Sequence, residues 1–329
     1  MKKYIIIFGM ALILIIIALD GCIEEETGGI IKVSEGHFNS IQSAIDAASN
    51  NDKILVYPGI YNETIIINKS ISLIAVDKNS TTIQYNGNET GITVLEINAD
   101  DCIVDGFVIL GNNESTKLYP FGSLSSIGIK VQSNNNIITN NTIQDIYYGI
   151  HLDNSNNTIV SNNNILNNDV GLYIVRSMNN KILSNNITKN SIFGVYISSL
   201  LSQSDKNIFK YNQISQNNIG LRIKGSLENK FEKNIVQNND DKGFLFCCGS
   251  RNNIVFNNNI INNSLNADDH YHNQWHYNKI GNYWSDYKSK YPNSIDENND
   301  GFWDTPYIIY IINGDTKDLF PLVKSITIL

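Results

Sequence analysis

Cysteine, basic residues and helical periodicity are what this 329-residue sequence has least of, and each shortage closes off a class of protein. Four cysteines, Cys22, Cys102, Cys247 and Cys248, do not make a disulfide framework, so buried free thiols are expected. The adjacent Cys247 and Cys248 would allow a strained vicinal bridge at best. Lys and Arg number 24 against 32 acidic residues, for a formal charge of -8, and no basic run occurs beyond the first residues. That balance argues against a nucleic-acid partner. The one long apolar run, Tyr4 to Leu19, has 16 residues and is slightly short for a membrane span.

Repetition is what the sequence has in abundance. From about Asn136 to Ile260 one phrase recurs six times: an apolar residue, an Asn three places on, and a second apolar residue two places later. The copies are Ile138/Asn141/Ile143, Val160/Asn163/Ile165, Ile182/Asn185/Ile187, Phe209/Asn212/Ile214, Phe231/Asn234/Val236 and Val255/Asn258/Ile260. The first five are each followed by Gly and an alternating triplet, such as Gly171-Leu172-Tyr173-Ile174 and Gly194-Val195-Tyr196-Ile197. Steps of 22, 22, 27, 22 and 24 residues along the Ile143 column are the signature of a stacked repeat.

The triplets alternate in and out, as short strands do. A period of about 22 residues has room for three such strands joined by turns, and stacking copies of that unit gives a parallel β-helix. The fold expected is therefore all-β: a right-handed parallel β-helix with three strands per coil. Gly and Asn at the joints are expected to take the left-handed backbone of the corners. The column Asn141, Asn163, Asn185, Asn212, Asn234 and Asn258 is expected to form a side-chain ladder rising about 4.8 Å per coil. Asn richness alone also marks disorder, but a disordered tract does not keep its apolar residues in phase. A solenoid core grows along one axis, so a single elongated, monomeric domain of this length is reasonable.

Both ends differ from the array. Lys2 and Lys3 precede the apolar run, and Leu19-Asp20-Gly21-Cys22 follows it, so residues 1–22 read as an export signal. Leu and Gly before Cys22 resemble a lipoprotein signal with Cys22 as the lipidated residue; Asp20 departs from that pattern and leaves an uncleaved anchor as the alternative. Either way the protein is expected outside the cytoplasm and tethered to the membrane. Residues 23–34 read as a linker, 35–265 as the β-helix and 266–329 as an aromatic-rich C-terminal cap. Ser40 is placed to cap a helix whose Ile41, Ala44, Ile45 and Ala48 share one face, a plug for the open end of the core. Residues 111–127 interrupt the period and are expected to bulge out.

These repeats resemble those of the NosD-like branch of the pectin-lyase-like superfamily, which carries a carbohydrate-binding and sugar-hydrolysis repeat. So does the opening Val56-Tyr57-Pro58-Gly59-Ile60-Tyr61-Asn62-Glu63, and so do Gly281-Asn282-Tyr283-Trp284-Ser285-Asp286-Tyr287 and Asp304-Thr305-Pro306-Tyr307 near the end. The resemblance spans roughly residues 30 to 325. It implies the fold but not the activity, because that superfamily holds lyases, hydrolases, epimerases, esterases and binding proteins. Arg222-Ile223-Lys224 matches a fragment of the polygalacturonase pattern, whose other motifs are missing. Tyr148 to Asp153 resembles the alginate-epimerase motif without its Asp-Pro-His. Asp240-Asp241 beside Lys242 reads as solvated charge at a turn rather than a catalytic pair.

Candidate binding residues come from the outward middle positions of the triplets, which stack from coil to coil: Lys130, His151, Tyr173, Tyr196 and Arg222, then Leu245. Gln132, Asp153, Val175, Ser198, Lys224 and Cys247 form the neighbouring column. Tyr faces flanked by cations suit a sugar chain, although outward Tyr ladders also simply stabilise sheets. In the tail, Asp296, Asn298, Asp300 and Asp304 with Gly301 describe most of a calcium loop, lacking the Glu at position twelve, where Tyr307 stands. His270, His272 and His276 raise copper, but polar residues in an aromatic cap is the reading favoured for them. The function expected is a surface-tethered β-helix that binds a polysaccharide without catalysis of its own. The alternatives are a polysaccharide lyase, hydrolase or epimerase and a copper-handling accessory protein.

Overall fold

The structure, a computed structural model, describes residues 28–327 except 35, 88, 112–124, 200–202 and 311–315. The signal segment with Cys22, and nearly all of the interruption at 111–127, lie outside the described residues. The chain winds as a right-handed parallel β-helix of about 10 turns. Its three strands per coil build three sheets, A, B and C, of ten, ten and nine strands among the described residues. Sheet A runs from Ile30–Val33 to Ile254–Phe256, sheet B from Gly59–Asn62 to Tyr283–Trp284, and sheet C from Ile65–Ile67 to Leu265–Asp269. Every strand pairs in parallel with its equivalent one coil on, so like residues fall in columns. Ile143, Ile165, Ile187, Ile214, Val236 and Ile260 are in register and fully buried.

The corners explain the Asn-Asn pairs that fill the sequence. In each pair the first residue turns the chain through a left-handed conformation, and the second points inward. Asn140, Asn162 and Ser184 each have φ of +55°, and the next residues, Asn141, Asn163 and Asn185, are buried. Asn is among the few side chains that tolerate this backbone region. The repeat's glycines do something else, contrary to the expectation that they would take the left-handed corners. Gly149, Gly171, Gly194, Gly220 and Gly243 are absent from the left-handed set; they are needed for space. A Cβ on Gly194 would lie 2.7 Å from the carbonyl oxygen of Gly220 and 2.7 Å from Nδ2 of Asn217.

Three amide ladders run through the regular coils, where the sequence pattern pointed to one. In the expected ladder, Asn163 donates its backbone N–H (2.9 Å) and its Nδ2 (3.0 Å) to Oδ1 of Asn185, and Nδ2 also reaches the carbonyl of Ile138 at 2.8 Å. Asn168, Asn190, Asn217, Asn239 and Asn263 form a second ladder. Asn180, Asn207, Asn229, Asn253 and Asn273 form the third. Each has a direction, because the backbone N–H of each Asn, and in most a side-chain N–H as well, donates to Oδ1 of the Asn in the coil that follows. The last Asn therefore needs a partner that only accepts, and a carboxylate is such a group. Asn273 donates to Asp269, Asn282 donates to Asp318, and Asn263 donates to Asn266, which donates to Asp286.

The ends are closed by packed pieces. The helix Ile41–Ala47 is capped by Ser40, whose Oγ accepts from the Ser43 amide at 3.1 Å, and it buries Ile41, Ala44 and Ile45 as expected. Glu63, the last residue of the Val56–Glu63 opening, accepts the amides of Ile41 (2.8 Å) and Gln42 (3.0 Å) and so fixes that helix to the first coil. The Gln42 side chain bonds both backbone groups of Ile66, as a neighbouring strand would. The coil stack extends past 35–265 at both ends. Ile30–Val33, inside the expected linker, already pairs with Lys53–Val56. Beyond 265, Leu265–Asp269, Gln274 and Tyr283–Trp284 add one more coil. That coil escaped notice because Ala267 stands where the others have a large inward residue. Over it fold Trp275, Trp284, Tyr287 and Tyr307, all buried, with Trp284 and Tyr307 stacked at 4.0 Å.

Candidate functional site: the outer face of sheet C

The alternation of each sheet C strand turns one residue per coil outward, and the register stacks Glu96, Lys130, His151, Tyr173, Tyr196, Arg222, Leu245 and Asp268 in one column. Beside it run Asp153, Val175, Ser198, Lys224 and Cys247. All five residues proposed from sequence, Lys130, His151, Tyr173, Tyr196 and Arg222, are thus brought together in order. On the other flank Tyr148, Val170, Phe193 and Ile219 form a second apolar cluster outside the barrel.

The rings do not lie open as a platform for sugars, which is a correction to the sequence reading. Coils rise by about 4.8 Å, close to the stacking distance of aromatic rings, so the rings pack on one another. His151 and Tyr173 stack at 4.7 Å and 24°, and Tyr173 and Tyr196 at 5.0 Å and 13°. The guanidinium of Arg222 continues the pile, 5.4 Å from the Tyr196 ring and 5.2 Å from that of Phe193. Tyr196, expected to be exposed, is only 5% so. Ring faces are used inside the stack, and the surface is made of edges and polar atoms.

Charges on this face are mostly paired. Lys130 lies 3.6 Å from Glu96. Arg176, which sequence reasoning passed over, grips Asp153 with two hydrogen bonds of 2.8 and 2.6 Å. Its left-handed backbone at φ +50° gave no sign of that role in the sequence. Burial pushes His151 down to about 4, against the pull of Asp153, so its imidazole is neutral at physiological pH. Burial, reinforced by Tyr196, raises Tyr173 to about 12, and burial raises the Cys247 thiol to about 11, leaving both as neutral groups. Both ring nitrogens of His151, Nε of Arg222 and the Ser198 hydroxyl are buried without a hydrogen-bond partner.

The family described as periplasmic copper-binding protein (NosD) matches residues 45–289, about three quarters of the chain. The chain belongs to the NosD family. A cell surface glycoprotein of Methanothermus fervidus is 30% identical over 149 residues, 45% of this NosD-family chain and 22% of the glycoprotein. The chain therefore spans about a fifth of that relative's length. Among solved structures, pectate lyase Pel9A is 14% identical with a TM-score of 0.57, over 78% of this chain and 74% of the lyase. A pectin methylesterase from Aspergillus niger is 13% identical with a TM-score of 0.50, over 72% of this chain and 85% of the esterase. At these identities the likeness is one of fold.

A family described as copper-binding invites a search for ligands, and the NosD-family residues here do not fit a copper centre. His270 lies 2.9 Å from Asp268, Nδ1 of His272 bonds the Thr316 hydroxyl at 2.9 Å, and His276 packs on the Phe320 ring at 5.2 Å. The three histidines thus face different partners. Among the described residues no three His, Cys, Asp or Glu groups gather where a metal would need them. In the loop proposed for calcium the side chains bond the loop's own backbone. Asp296 accepts the amides of Asp300 and Gly301 at 3.1 Å each, Asp300 that of Phe302 at 3.0 Å, and Asp304 that of Glu297 at 3.0 Å. Asn298 reaches Asp300 at 3.0 Å. The geometry is that of nested Asx turns.

Proposed function

We propose that this NosD-family protein is an extracytoplasmic β-helix that binds carbohydrate along the outer face of sheet C, without bond-breaking chemistry of its own. The family description, periplasmic, and the relative's name, cell surface glycoprotein, support the location. A tether through the N-terminal segment and Cys22 completes the proposal. The observation that carries the binding reading is the contrast between the core and this face. Inside, three amide ladders give every inward Asn its partners. Outside, His151, Ser198 and Arg222 hold buried polar atoms that no protein group meets. Such an atom costs about 1–3 kcal/mol, a cost that persists where a ligand supplies the missing bond. A glycan offers hydroxyls to such atoms and C–H edges to the Tyr stack. Asp153 is held by two hydrogen bonds from Arg176, so it is not poised for proton transfer.

The test is affinity electrophoresis of the purified protein in gels cast with neutral and acidic polysaccharides. Retardation by at least one polysaccharide is expected, weakened about tenfold by His151→Ala. Asn186→Ala, on the outer face of sheet B, is expected to bind normally. Free migration of the wild type in every gel would refute the reading.

A further inference from the structure

We infer that Arg222 and Lys224 form a subsite for an anionic group of an acidic polysaccharide, a carboxylate or a sulfate ester; the inference rests on the carbohydrate reading above. The argument starts from the pairing of charges. On the outer face of sheet C, Lys130 has Glu96, Arg176 has Asp153, and Lys242 has Asp241 at 3.0 Å. Arg222 and Lys224 have no carboxylate within ion-pair distance among the described residues. Standing two apart on the strand Ile219–Lys224, they point to the same side, roughly 7 Å apart along the chain.

Their surroundings contain no opposite charge. One coil back in register are Tyr196 and Ser198, and one coil forward are Leu245 and Cys247. Burial keeps the Cys247 thiol protonated. The nearest acids of these columns lie further off and are engaged: Asp153 with Arg176, and Asp268 beside His270. Two adjacent, partly buried cations in an otherwise neutral stretch repel each other and are stabilised by a bound anion.

The site is also built. The rings of Phe193 and Tyr196 hold the guanidinium in place, so its donors are oriented before a ligand arrives. Its Nε is buried without a partner. Ser198, directly across from Lys224, is fully buried with its hydroxyl beside that of Tyr173, so it floors the site and does not reach the anion. A planar guanidinium and a flexible ammonium on the same side of one strand match the oxygens of a carboxylate or a sulfate.

Titration calorimetry on the detergent-solubilised full chain tests this with four probes: an oligogalacturonate, its carboxyl-reduced counterpart, dextran sulfate and dextran. An acidic probe is expected to bind at least about tenfold more tightly than its neutral counterpart, and the gap is expected to narrow with salt. Preference within the first pair assigns a carboxylate, and within the second a sulfate. Lys224→Gln is expected to erase about tenfold of that preference while leaving the neutral probes unchanged, and Arg222→Gln, which removes a group the neutral probes also meet, to erase it while weakening every probe. Lys224 is at the partly exposed rim, so its variant keeps the test valid even if Arg222→Gln lowers stability. Equal binding of acidic and neutral probes, or full preference in Lys224→Gln, overturns the subsite while the carbohydrate reading stands. If none of these probes binds, and no polysaccharide retards the protein in the gels, the carbohydrate reading falls first.

Discussion

At the scale of single residues, Asp318 shows how one side chain can end a structure. It is fully buried and accepts from the Asn282 amide at 2.7 Å, Nε1 of Trp284 at 2.9 Å and the Phe320 amide at 3.1 Å. Burial raises its pKa from the ordinary 3.8 to about 7, and these donors keep it from rising further. Between those two values the unfolded chain has released its proton while the folded chain still holds one. Raising the pH from about 4 to about 7 therefore removes stability at this site, and above 7 the loss is complete. His151, pushed down to about 4, runs the other way, losing stability as pH falls from 6.5. The measurement is thus the difference in melting temperature between wild type and Asp318→Asn, followed by Trp fluorescence. The wild type's advantage is expected to shrink as pH rises from 4 to 7. The variant is expected to be less stable by about 1–3 kcal/mol near pH 4, because its amide N–H groups face other donors. A constant difference across that range would contradict the pKa assignment.

At the scale of elements, the coil is set by corners and by close approach. Gly194→Ala places a methyl 2.7 Å from the next coil's backbone, so a loss of about 2 kcal/mol is expected. Asn186→Ala, on the outside of sheet B, is expected to cost less than about 1 kcal/mol. Urea denaturation compares the two, and equal losses would contradict the register. The C-terminal loop gives a second element-scale test. Its carboxylates already bond its own amides and do not converge, so millimolar calcium is expected to leave the melting temperature unchanged. A rise proportional to the logarithm of calcium concentration, abolished by Asp300→Ala, would instead establish a calcium site there.

At the scale of the whole molecule, aromatic rings, cations and unmet polar atoms coincide, among the described residues, on the outer face of sheet C. The proposed tether at Cys22 would set how that face is presented. If Cys22 is lipidated, the wild type partitions into the detergent phase, and Cys22→Ser is expected to lose metabolic labelling by fatty acid and keep its full precursor mass. Unchanged mass and membrane association in the variant would identify an uncleaved anchor instead. Much of this was legible in the sequence. The 22-residue step, the inward Ile column, the Asn141 ladder and the Ser40-capped helix all follow from local pattern, because β-strand alternation and stacking turn sequence spacing directly into position. The column Lys130 to Arg222 was legible for the same reason. Arg176 gripping Asp153 was not, since it depends on which way a corner residue's long side chain reaches.

The sequence by itself therefore determined the fold, the number of strands per coil and which residues share a column, because a repeat of fixed length leaves the chain one way to stack. Only the tertiary structure decided what those columns do. It alone shows three ladders ending on Asp269, Asp318 and Asp286, because two of the three carboxylates that close them arrive from beyond the last coil. It alone shows that the Tyr rings face each other and not the solvent, and that Arg222 and Lys224 have no ion-pair partner among the described residues. Whether a charge is paired, or a ring face covered, depends on distances between coils more than 20 residues apart, and periodicity carries no record of those distances.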